Sequence, residues 1–132
     1  MRDRLSPTFS LLVIHNRKPF RAGVRLMIES LGHQVFEAVD APTGLAVIDQ
    51  HDVEVVLLDT DSPGLANLMA IRMDSNIPIV AVTRRGLPIV VCCPDGRLRI
   101  IHAPLGLEEL VDTLAQAVAF GRASVAGKSP QF

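Results

Sequence analysis

Short apolar runs alternate along the chain with longer stretches in which apolar residues return every three or four positions. "FSLLVI", Phe9 to Ile14, is a nearly unbroken apolar run and predicts a strand. From Pro19 to Leu31 the residues Phe20, Val24, Met27, Ile28 and Leu31 recur at helical spacing, with Pro19 suited to a first turn and Gly32 to a C-terminal stop. "QVFEAV" then predicts a half-buried strand, and Thr43 to Gln50 a short helix entered through "DAPTG". "VEVVLL" is the third strand, apolar enough to be central in its sheet.

Leu65 to Met73 predicts a third helix and "IPIVAVT", Ile77 to Thr83, a fourth strand that tolerates Pro78 only near its start. The alternation falters at "RRGLPIVVCCPDGRLRII": a helix is due, yet Ile89, Val90 and Val91 are β-branched and lie between Pro88 and Pro94. "LPIVVCC" therefore reads as a strand or irregular segment, followed by a turn at "PDG" and a strand at "RLRII". Leu107 to Phe120, with Glu108 and Glu109 in its first turn, predicts the final helix. The pattern is that of βαβ units around a parallel sheet: an arm over 1–8, one α/β domain over 9–120 and a flexible polar tail over 121–132.

Composition narrows the function. The 132 residues suit a single domain, and 13 Lys plus Arg against 14 Asp plus Glu give a net charge of -1. That balance offers no footprint for nucleic acid and no polybasic membrane anchor. With no Trp, no Tyr and five Phe, the chain also lacks stacking platforms for bases. Adjacent Cys92 and Cys93 make neither a disulfide framework nor a spaced zinc pair, which points to a reducing, cytoplasmic setting. No stretch approaches the length of a membrane span.

One feature carries chemistry. "VVLLDTDSPG" runs a buried strand into a carboxylate, Asp59, and open α/β sheets bind their ligands in the crevice beyond the carboxyl ends of their strands. With "LLDTDSPG", the segments "AVT", "LGHQVFEAVDAPTGLAVI" and "HAPLGLEEL" stand in an order that resembles the receiver domain of two-component response regulators. The resemblance implies a flavodoxin-like (βα)5 doubly wound parallel sheet; the faltering alternation over 84–96 leaves its fourth helix short, irregular or replaced by an extended segment. It makes Asp59 the phosphoacceptor position and Thr83 the hydroxyl that contacts the phosphoryl group. His15 and Asn16 stand where the family has two magnesium-binding acids, Ala103 where it has a lysine, and Ile100 where it has an aromatic switch residue.

Those departures have a physical consequence. A phosphoryl group on a carboxylate gathers negative charge that a divalent cation and a lysine ordinarily neutralise. An imidazole and a neutral amide supply little of that charge, and magnesium prefers hard anionic oxygens. Asn16, Asp59 and Asp61 are the oxygen donors left for a weak metal site; the expectation is no metal and no cofactor. Arg84 or Arg85 could pair with Asp59 as a fixed charge substitute, although both pointing into solvent is the default. His15 as a merely hydrogen-bonded histidine, Cys92 and Cys93 as core hydrophobes, and Thr83 as a strand cap are the plain alternatives to functional roles. His102, one position from Ala103, points to the opposite face and does not replace the lysine.

The expectation is an atypical receiver domain, not an enzyme, that acts as a protein interaction module without a phosphate cycle. Its partners would be a histidine kinase, a downstream regulator or a second copy of the chain, with neither nucleic acid nor membrane involved. The first alternative keeps Asp59 as phosphoacceptor with a weakened Mg2+ site. The second is a flavodoxin-like domain that binds a small ligand over the strand ends, disfavoured by βα loops poor in glycine clusters and aromatic residues.

Overall fold

A computed structural model describes residues 8–59, 64–83, 97–102 and 106–126. Five strands form one sheet: β1 (Ser10–Ile14), β2 (Gln34–Ala38), β3 (Val55–Asp59), β4 (Ile79–Thr83) and β5 (Leu98–His102). All neighbouring strands are parallel and their order is β2-β1-β3-β4-β5, the doubly wound flavodoxin-like arrangement that the sequence resemblance implies. The described helices are α1 (Lys18–Glu29), α2 (Ala41–Gln50), α3 (Gly64–Asp74) and α4 (Leu107–Ala126).

Strand alternation sorts the apolar side chains into two layers. Leu11, Val13, Val55, Leu57 and Val80 pack against Val24 and Ile28 of α1 and Leu110, Leu114 and Val118 of α4. Leu12, Ile14, Val56, Leu58, Ile79 and Ala81 face the other way, onto Ala41 of α2 and Leu68 and Ile71 of α3. β1 and β3 are buried along their whole length, as expected of strands covered on both faces.

Local chemistry sets where the elements begin and stop. Asp40 caps α2 by accepting from the Thr43 amide at 3.0 Å, so that helix starts at Ala41, before the expected Thr43. Asn67 of α3 accepts from the Ala41 amide at 2.9 Å and ties the two helices together. α1 ends at Glu29, short of Leu31, and the chain turns into β2 through Gly32, whose φ of 96° favours glycine. Gly44 has no side chain because α2 crosses close over β1: a Cβ there would lie 2.8 Å from Ile14 Cδ1.

α4 runs to Ala126, beyond Phe120 where the apolar pattern stops. Its extension is anchored by tertiary contacts. Gly121 lies against Pro78, and Arg122 binds Glu54 and the Thr8 carbonyl. The expectations for "LPIVVCC", the "PDG" turn and the fourth helix fall outside the described residues, as do 1–7 of the arm and 127–132 of the tail.

Candidate functional site

β1 and β3 are adjacent, yet the chain leaves β1 towards β2 on one side and β3 towards β4 on the other. The crevice at this reversal is where open α/β sheets bind ligands. Asp59 ends β3 and His15 follows β1, so both stand at that point. Asp59 is 8% exposed, and its Oδ2 lies 3.6 Å from His15 Nε2.

The histidine is held from several sides. Its ring stacks on Phe20 of α1 with centroids 4.1 Å apart, and its Nδ1 accepts a hydrogen bond from the Arg17 amide at 3.0 Å. Its own amide donates to the Ala38 carbonyl at 3.1 Å, and Arg21 Nη1 donates to its carbonyl at 2.9 Å. Arg21 Nε in turn meets Glu37 Oε1 at 3.2 Å, with Arg25 on the other Glu37 oxygen at 3.1 Å. The β1–α1 turn is thereby fixed to β2. Neither Phe20 nor Arg21 stood out in the sequence as part of the site; the one available signal was an aromatic residue one turn into the helix that follows His15.

Hydrogen bonding decides which nitrogen of His15 carries its proton. A neutral imidazole has one N–H, and the nitrogen that accepts from a backbone amide must keep its lone pair. The proton therefore sits on Nε2, on the side of Asp59. Turning the ring over would put a carbon where the Arg17 amide points.

The remaining expected residues are distributed around this pair. Thr83 ends β4 and is 1% exposed, and its Oγ1 has no hydrogen-bond partner among the described residues. The Thr83 hydroxyl makes no hydrogen bond to the Asp59 carboxylate. Asn16 is exposed in the turn. Ile100 of β5 is half-exposed and pairs in register with Ala81. Asp61, Arg84, Arg85, Cys92, Cys93 and Ala103 lie outside the described residues.

An open cleft of about 590 Å³ lies at the other end of the sheet, lined by Ser10, Gly32, Gln34, Asp52, Glu54 and Arg122. Two of its charged groups, Arg122 and Glu54, pair with each other. Among the described residues no helix is long and apolar enough to cross a membrane.

Comparison with known proteins agrees with the geometry. No protein-family model matches the chain. The sensory transduction protein RegX3 of Mycobacterium tuberculosis is 25% identical over 107 residues, which cover 77% of this chain and 47% of that protein. Protein PilH of Pseudomonas aeruginosa is 37% identical over 65 residues, 45% of this chain and 54% of PilH. The chain thus spans about half the length of these curated relatives. Among solved structures, the signal receiver domain of an HD domain-containing protein from Pseudomonas fluorescens superposes with a TM-score of 0.74 at 18% identity, covering 89% of this chain and 99% of that one. The chain therefore has the flavodoxin-like fold of solved receiver domains, and in sequence it is similar to proteins of two-component signalling.

Proposed function

We propose that this receiver domain is an atypical one: a protein interaction module of two-component signalling that works without a phosphate cycle and is not itself an enzyme. The observation that carries this reading is the His15–Asp59 pair. At the crevice the acceptor carboxylate faces an imidazole nitrogen at 3.6 Å, in the place where the receiver family has a magnesium-binding acid. That nitrogen brings an N–H dipole and no formal charge while the ring is neutral. Building a phosphoryl group on Asp59 would add negative charge to a carboxylate 8% exposed, and the neutral imidazole facing it supplies no full positive charge.

In this reading the domain is cytoplasmic, and its partner is a histidine kinase, a downstream regulator or a second copy. Regulation comes from partner binding or abundance. The reading is supported by relatives that include a sensory transduction protein.

The buried, unpartnered Thr83 hydroxyl favours a second reading, because a phosphoryl oxygen on Asp59 would give it an acceptor. One experiment separates the two. The full chain is incubated with a small acyl phosphate and Mg2+, beside an Asp59→Ala control, and its intact mass is measured. No Asp59-dependent mass gain is expected; a gain that vanishes in the control establishes the phosphoaccepting reading instead.

A further inference from the structure

We infer that His15 makes the Asp59 pocket reject divalent cations, acting as the residue that decides what the crevice binds. This deepens the reading above and rests with it on the His15–Asp59 pair.

The argument starts from the Arg17 amide. Because it donates to Nδ1 at 3.0 Å, the ring's proton stays on Nε2, the nitrogen 3.6 Å from Asp59 Oδ2. A cation shared between Asp59 and His15 needs the Nε2 lone pair, so the proton would have to leave or move to Nδ1. On Nδ1 it would meet the Arg17 N–H head-on. Histidines that bind metals have the opposite arrangement: the nitrogen away from the metal donates its proton to a carboxylate, carbonyl or water. Here the corresponding neighbour is a donor.

The ring cannot swing aside without breaking other contacts. Phe20 stacks on it at 4.1 Å, and Arg21 holds the His15 carbonyl at 2.9 Å. The other residue at the magnesium position, Asn16, is an exposed neutral amide. Magnesium requires near-octahedral oxygen ligands, anionic ones above all, and a protonated imidazole nitrogen is a poor substitute. Among the described residues, those at the site do not fit the ion that the family implies. What the described residues of the pocket offer a ligand in its place is an N–H donor beside a carboxylate.

The test uses the full chain labelled with 15N. Long-range 1H–15N spectra report the imidazole tautomer, and titration with Mn2+ broadens signals near a bound ion. The expected result is a His15 protonated on Nε2, with no saturable broadening centred on residues 14–16 and 57–59. His15→Asp is expected to gain that broadening, while His15→Phe, which can still stack on Phe20, is not. A wild-type His15 protonated on Nδ1 overturns the inference, and so does saturable Mn2+ binding beside Asp59. A folded His15→Asp that gains no ion overturns it too; if that variant does not fold, the two wild-type measurements still decide. Wild-type Mn2+ binding without phosphodonor labelling sinks this inference alone. Labelling of Asp59 in the presence of EDTA sinks only the proposed function.

Discussion

Arg122 and Glu54 meet in a two-pronged ion pair, with Nε 2.7 Å from Oε2 and Nη2 2.9 Å from Oε1. The pair joins the last helix to the segment entering β3, and Arg122 also donates to the Thr8 carbonyl at 3.0 Å, at the entry to β1. Parallel, bidentate geometry is what distinguishes a guanidinium from an ammonium at such a site.

Arg122→Ala is accordingly expected to destabilise the domain. Both side chains are partly exposed, so solvent screening holds the pair to about 0.2–1 kcal/mol, with the Thr8 bond adding a similar amount. A double-mutant cycle with Glu54→Ala in urea, repeated at high salt, measures it. Arg122→Lys should recover less than half of the loss. A coupling energy near zero at low salt would mean that α4 is held by its apolar face alone.

His33 introduces a pH dependence remote from the crevice. Its ring stacks on Phe9 at 3.8 Å and its Nδ1 accepts from the Phe9 amide at 3.2 Å. Burial penalises the charged ring and pushes its pKa below the usual 6.5. The unfolded chain then binds the proton more readily than the folded one. The stability contributed is therefore complete above the unfolded pKa, declines as pH falls through about 6.5 towards the lower folded value, and levels off below it. Urea midpoints at pH 7.5 and 5.5 should differ in the wild type and differ less in His33→Phe. Equal shifts in both proteins would assign the effect to another group.

Gly44 tests how closely α2 is seated. A Cβ there would approach Ile14 Cδ1 to 2.8 Å and Leu12 Cδ2 to 3.3 Å, and both side chains are fully buried. Gly44→Val should cost about 1–3 kcal/mol through overpacking, more than the few tenths by which valine improves on glycine as a helix former. The measurement is a lower denaturant midpoint with an unchanged slope. A midpoint at or above the wild-type value would show that β1 gives way to the added side chain.

Much of this architecture was legible in the residues. β1 is an apolar run that needs cover on both faces, and α1 shows its apolar residues at helical spacing, so both were expected within a residue or two of where they lie. Asp59 was readable as the end of β3 because an apolar run breaks there into a carboxylate and a Pro-Gly turn. α4 was read short for a physical reason. Past Phe120 its residues show no apolar stripe, and what keeps them helical is contact with Pro78, Glu54 and Thr8, all distant in sequence.

The candidate site divides in the same way. That His15 and Asn16 replace acids could be read from position. Which His15 nitrogen holds its proton could not, because it depends on the Arg17 amide and on the placing of the ring by Phe20. The Thr83 hydroxyl was placed on the correct strand end, but that it is buried without a hydrogen-bond partner among the described residues depends on the packing around it.

The sequence by itself determined the succession of strands and helices and the carboxylate at a strand end, because periods of 2 and 3.6 residues are local properties of the backbone. Only the tertiary structure decided that an imidazole stands 3.6 Å from Asp59 and that Phe20 and the Arg17 amide place its ring. Those outcomes depend on how two apolar layers are shared among elements far apart along the chain, and no local pattern encodes that.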